Sequence, residues 1–443
     1  MTALAIPAGV NSVTPDWLTA ALGSTIAPGS RVRSFESTRI GEGSGFLGEL
    51  ARIKLAYEGD PGPEAPASVI VKLPTQVAEA RGMAAVLGFC GRGGGFYRDI
   101  GDAVGVRTPK PYYARFEPAE ADFALILEDV NTAQVGDQLA SCSLEQAKLA
   151  VTTLGQLHGK WWQSPQLTMH AWLPSRGHSF YQVLKFGFVQ NLPQFAENWA
   201  HRFDPAVLRC AEGLAGKNDE YLDGLFDRPL TLAHSDYRLD NLMFGEPGSA
   251  DACVVLDWQL CQASTGSLDL QYFISSNLRK EAIAKHTDEL LETYYEALRG
   301  AGVTDYPIQE LRDDYARTSL MLGFYIVTGS SAIDPNNYDQ RGHDLIDLIY
   351  GSVGGSTARY AAERVPPSGV SPRSRGRQVL ALGVFLVRGG ENPGDGSLEP
   401  SEFGGRCDPD RVEIDAEVLV GKDVAHPDVA APRDLRVSLA EVG

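Results

Sequence analysis

The segment LAHSDYRLDNLMFG, followed shortly by ACVVLDWQ, concentrates residue types that can do chemistry. Its core is His234-x-Asp236-x-x-x-x-Asn241, then the apolar stretch Ala252 to Leu256, then Asp257. Phosphoryl transfer to an alcohol needs one carboxylate to orient or deprotonate the attacking hydroxyl. It also needs a carboxamide and a second carboxylate, a short hairpin away, to hold Mg²⁺ against a triphosphate. Magnesium takes hard oxygen ligands and keeps waters, so one Asn and one Asp beside phosphate oxygens suffice. Asp and Asn are also ordinary turn residues, which accounts for each of them singly. It does not account for two polar clusters flanking a short hydrophobic strand in this order.

The elements that must carry these groups follow from local patterning. Thr14 then Pro15 reads as an N-cap with proline at the first helical position, and Trp17, Leu18 and Leu22 supply an apolar face. Strand-like runs follow at Val32 to Ile40, Glu49 to Tyr57 and Ser68 to Leu73, and a buried strand at Phe123 to Val130. Between them, Gln76 to Ile100 reads as a helix that Gly91, Gly93, Gly94 and Gly95 should weaken or break, at about 1 kcal/mol each relative to Ala. Ser143 with Gln146 is a capping box, and Leu144, Ala147, Val151, Leu154, His158 and Trp161 recur at helical spacing. That spacing makes His158, Trp161 and Trp162 core residues rather than a cage for a quaternary amine. Helices at Glu289 to Leu298 and Ile308 to Val327 follow a strand-rich insert, Leu230 to Asp257.

HSDYRLDNLMF, LDWQ and the later GSLDLQYF resemble the phosphotransferase family of aminoglycoside, choline and ecdysteroid kinase-like enzymes, over roughly residues 10 to 363. The resemblance implies an α+β, bilobal protein-kinase-like fold. It comprises a nucleotide-binding lobe over residues 1–127, a mostly helical catalytic and substrate lobe over 128–363, and a tail over 364–443. It implies a small-molecule kinase using ATP and Mg²⁺, and the scattered cysteines suit a cytoplasmic setting. Asp236 would be the base, Asn241 and Asp257 the metal ligands, His234 a loop-shaping residue and Asp269 a buried brace for the catalytic loop; by its position alone Asp269 is equally a helix N-cap. Arg238 either touches the γ-phosphate or braces the loop. Lys72, ending the apolar strand SVIVKLP, would reach the α/β-phosphates, and Gly41, Gly43 and Gly45 would let the backbone approach them. Backbone groups around Glu128 and Val130 would meet the adenine edge, where an acidic interlobe linker is equally expected. One departure stands out. Where the family carries a helix glutamate to pair with the lysine, this chain has Gly93, and Glu79 lies more than three turns away. That opens a second reading, a pseudokinase-like module that binds nucleotide or ligand with little turnover. A metal-dependent hydrolase using Asp236, Asp240 and Asp257 is weaker, because no histidine–carboxylate cluster accompanies them.

Composition narrows the partners. The 443 residues carry a formal charge of −18, which argues against nucleic acid and anionic membrane surfaces and favours a neutral or cationic small hydroxyl substrate. Six scattered cysteines without a C-x-x-C pair suit reduced thiols, and neither a signal peptide nor a membrane span is expected. After about Glu363 the composition turns Pro/Ser/Arg-rich and then Gly/Pro/Asp/Glu-rich, so the tail is expected to be disordered or the product of a frame change. Oligomeric state and acceptor are not readable from sequence. The acceptor pocket should lie among the helices around residues 170–225 and 280–350.

Overall fold

A computed structural model describes residues 4–40, 48–77, 81–82, 84–85, 87–117, 122–199, 201, 205–329, 340–341, 343–345 and 348. These belong to one compact unit, Met1–Val370. Gly41, Gly43, Gly45, Glu79 and the tail from residue 364 lie outside the described residues.

The N-terminal lobe is a five-stranded antiparallel sheet in the order β1-β2-β3-β5-β4: β1 Arg31–Ile40, β2 Gly48–Glu58, β3 Ser68–Pro74, β4 Pro111–Glu117 and β5 Asp122–Glu128. Successive side chains on a strand face opposite ways, so each inner strand is divided between two tasks. Ala51, Ile53, Val69, Val71, Leu73, Ala124 and Ile126 form one core with α1 (Pro15–Leu22), which Thr14 caps through a 3.1 Å bond from the Trp17 N–H. The intervening Leu50, Arg52, Ile70, Lys72, Phe123, Leu125 and Leu127 line a cleft on the opposite face.

Helix α2 (Phe89–Asp99) crosses that opposite face, and it runs straight through the four glycines that were expected to weaken or break it. The reason is packing. A Cβ on Gly94 would lie 2.6 Å from the Phe116 ring, and one on Gly95 would lie 2.5 Å from that of Trp172, so only glycine lets the helix approach so closely. Tertiary contact offsets the propensity cost.

The C-terminal lobe is mostly helical. Its central helix α3 (Leu144–Lys160) begins at the capping box of Ser143 and Gln146. It packs on α8 (Lys280–Gly300), with Gly155 against Tyr294 and Ala297. Helices α4 (Ser179–Trp199), α6 (Asn218–Leu225), α7 (Ser267–Asn277) and α9 (Ile308–Gly329) share a second, aromatic-rich core, joined by α5 (Pro205–Ala215) through Leu208 and Ala211. Two small sheets carry the loops of interest: β6 (Ala133–Val135) with β8 (Leu242–Gly245) and β9 (Cys253–Val255), and β7 (Thr231–Ala233) with β10 (Gln262–Ser264). His158 is fully buried between Tyr294 and Asp269, and Trp161 is 3% exposed, as core residues should be. Among the described residues no helix is long and apolar enough to cross a membrane.

Candidate active site

The loop between β7 and β8 holds Asp236 and Asn241, and its shape is set from beneath. Asp269, 0% exposed on the first turn of α7, accepts from the backbone N–H groups of His234 and Ser235, each at 2.6 Å. Gly266, not Asp269, is the N-cap of that helix, so Asp269 is a brace for the loop. Ser235 adopts φ +65°, a left-handed conformation uncommon for a non-glycine residue, and the two bonds to Asp269 help fix it. Gln262 on β10 adds a third restraint: its Nε2 donates to Ser235 Oγ at 2.7 Å and to Tyr325 Oη at 2.7 Å.

His234 is fully buried and does not open onto the cleft. Its Nε2 lies 2.7 Å from the Leu256 carbonyl, and its Nδ1 accepts from the Asp236 N–H at 3.2 Å. Those partners assign a neutral ring protonated at Nε2 and make His234 a strut between the loop and the end of β9.

Three side chains converge on the Asp236 carboxylate. Asn241 Nδ2 donates at 2.7 Å, Tyr272 Oη at 3.3 Å, and the Arg238 guanidinium lies 3.2 Å away. Burial opposes the charge on Arg238, yet the Asp236 carboxylate, Tyr272 and Asp240 together raise its pKa above the ordinary arginine value. Burial, and then Asp236, raise the Tyr272 phenol, so it stays protonated as a donor. Arg238 also bonds Asp240 at 2.8 Å and Gln138 at 3.3 Å, which makes it a brace within the loop while it still lines the cleft.

Asn241 is tied to the residue before Asp257, where the Leu256 N–H donates to the Asn241 carbonyl at 2.9 Å. Asp257 follows in a left-handed conformation at φ +55°. Because the Asn241 NH₂ is turned toward Asp236, its carboxamide oxygen is directed away from that carboxylate. Lys72, on β3 and 9% exposed, reaches across the cleft to Asp257 Oδ1 at 2.6 Å and Gln259 Oε1 at 3.1 Å. An ammonium so close to Asp257 shows that this position is electrostatically suited to a cation. The donor set, two hard side-chain oxygens facing a cleft, fits magnesium.

The cleft measures about 400 Å³, and its lining runs from Lys72 and Asp257 past Leu127, Glu128, Asp129 and Val130 to Met243. The segment joining the lobes is fixed by ion pairs. Arg107 grips Glu128 through two nitrogens at 2.7 and 2.9 Å and also bonds Asp251 at 2.7 Å. Burial works against the charged Glu128, but Arg107 and the Lys110 N–H outweigh it and hold its pKa below the usual value. Asp129 is bonded to Arg52 and Ser68. The Glu128 N–H is engaged by the Lys110 carbonyl at 2.9 Å. Sequence reasoning missed Gln259, Tyr272, Gln262 and Arg107. A glutamine next to Asp257-Trp258 was the one available signal, and it carried no assigned role.

Among the described residues there is no group of three or more His, Cys, Asp or Glu side chains placed to hold a metal ion. The structure is similar to Plasmodium vivax ethanolamine kinase (14% identity, TM-score 0.46, covering 77% of this chain and 86% of that one). It is similar also to a choline kinase from Cryptosporidium parvum (10% identity, TM-score 0.43, covering 74% and 88%). A third is a macrolide 2′-phosphotransferase from Brachybacterium faecium (14% identity, TM-score 0.39, covering 75% and 97%). No curated protein matches the chain in sequence. The model of the ecdysteroid kinase-like family matches residues 42–301, more than half of the chain and every residue from Lys72 to Tyr272 named above. On that match, the chain belongs to the ecdysteroid kinase-like family.

Proposed function

We propose that the chain is a small-molecule kinase that transfers the γ-phosphoryl group of ATP to a substrate hydroxyl with Mg²⁺. The observation that carries this reading is that Lys72, Asn241 and Asp257, from separate parts of the chain, line one cleft, with Asp236 bonded to Asn241 beside it. Asp236 is the group that receives the acceptor hydroxyl, aimed by Asn241, Tyr272 and Arg238. Asn241 and Asp257 would hold the metal, which when bound neutralises phosphate charge and orients the phosphates. Lys72 supplies a cation to the phosphates from the sheet; with the Glu128 N–H taken by Lys110, the Glu128 carbonyl and the Val130 backbone are the groups offered to the adenine edge. Catalysis of this kind rests on positioning and charge, with little covalent work for the protein. The substrate class is a small alcohol; amino alcohols, aminoglycosides, sugars and sterol-like alcohols form the test panel.

Gly93 favours a second reading, a nucleotide-binding module with little turnover, because the family's helix glutamate is missing there. A coupled ADP assay across the acceptor panel separates the two. Acceptor-dependent ADP release, lost in Asp236→Asn, supports the kinase. Tight ATP binding with no ADP release on any acceptor supports the binding module.

A further inference from the structure

If the site is a nucleotide site as proposed, Lys72 must be held for the phosphates, and the helix position expected to do so is Gly93. The structure supplies another partner. Gln259 Oε1 lies 3.1 Å from Lys72 Nζ, and since an ammonium only donates, the carboxamide must present its oxygen there. Gln259 stands in the short turn Trp258–Leu260, which is docked on helix α2 itself: the Trp258 indole, 0% exposed, stacks on Phe96 at 4.1 Å with the rings 6° apart. One turn back along α2, a Cβ added to Gly93 would lie 3.6 Å from Gln259 Cβ and 3.7 Å from its Cα. Gln259 therefore packs directly against the helix position from which the expected carboxylate would have come.

We infer that Gln259 is the positioning residue for Lys72, doing from the Asp257-Trp258-Gln259 turn what a glutamate at position 93 would do from the helix. The bonds to Asp257 and Gln259 use two of the three ammonium N–H donors, which leaves the third for a phosphate oxygen. A neutral acceptor has a consequence that a glutamate lacks. It holds the ammonium without adding a second negative charge to that of Asp257, which already pairs with it.

The test is a double-mutant cycle on the full chain, read by calorimetric Mg·ATP affinity and by kcat and KM for ATP and acceptor, with melting temperature alongside. Gln259→Met keeps the side-chain length and removes the acceptor oxygen. It should weaken Mg·ATP binding or kcat/KM for ATP by about tenfold, the size of one charged hydrogen bond, with acceptor KM unchanged. In a Lys72→Ala background the same change should cost less than about twofold, since the bond is already gone. Gly93→Glu added to Gln259→Met should restore most of the loss by returning an acceptor from the helix side. Gln259→Glu, which keeps the acceptor, should retain tight binding; it decides the matter if Gln259→Met fails to fold, for then loss of binding in a folded Gln259→Glu overturns the inference. Equal losses with and without Lys72, or wild-type affinity in Gln259→Met, overturn it too while leaving the kinase reading intact. A wild-type chain that binds no Mg·ATP overturns both.

Discussion

Asp236 accepts from an amide and a phenol and pairs with a guanidinium. These contacts orient the carboxylate, and on the proposed kinase reading its role is to accept a proton from the incoming hydroxyl. Asp236→Asn should lower kcat by about 10²–10⁴-fold while changing ATP affinity little, because general-base assistance is typically of that size. Asp257→Asn should do the reverse and weaken nucleotide binding chiefly when Mg²⁺ is present, as calorimetry with and without chelator would show. Glu128 gives a prediction in pH. Its folded pKa lies below the usual carboxylate value, so its contribution to stability is complete above the unfolded value of about 4.3 and is lost as pH falls through the folded one. Glu128→Gln should therefore lower the melting temperature near neutral pH, and the gap from wild type should close in acid. A constant gap down to pH 3 would assign the effect to lost packing instead.

Helix α2 shows how one element can contradict its own propensity. Among the described residues none lies within 4 Å of a Cβ added to Gly91, whereas Gly94 and Gly95 abut Phe116 and Trp172. The same substitution should therefore change sign within one turn of helix. Gly91→Ala should raise stability by up to about 1 kcal/mol, the full propensity gain. Gly95→Ala should lower it by about 1–3 kcal/mol through overpacking against the indole, despite that gain. Denaturant unfolding of the two variants checks the pair, and stabilisation by both would mean that the Trp172 ring yields easily. Trp172 is itself tethered to this helix by a 2.8 Å bond to Asp99, so it is not free to swing away.

Across the whole molecule, an ion pair between Lys72 of the sheet and Asp257 of the helical lobe spans the cleft. A ligand that touches both should stabilise the folded chain by about 2.7 kcal/mol at a hundred times its dissociation constant. ATP with Mg²⁺ should accordingly raise the melting temperature, chelator should remove most of the rise, and Asp257→Asn should make the chelator irrelevant. Much of this was legible along the chain. Strand alternation, the caps at Thr14 and Ser143, and the order His234, Asp236, Asn241, Asp257 are set by periods and spacings within a few residues. The brace at Asp269 was legible through the family's motif alone. What neighbouring residues cannot specify is which side chains meet across the folded molecule. Lys72 finds Gln259 from 187 positions away, Arg107 finds Asp251 from 144, and Tyr272 reaches Asp236 from the second turn of another helix. The glycines of α2 carry the same lesson: by sequence they are a weakness, and only the rings of Phe116 and Trp172 turn them into a fit. Local sequence determines which element forms and which face is apolar. Close packing between distant segments decides which polar groups share a site, because burial leaves each of them few partners to choose from.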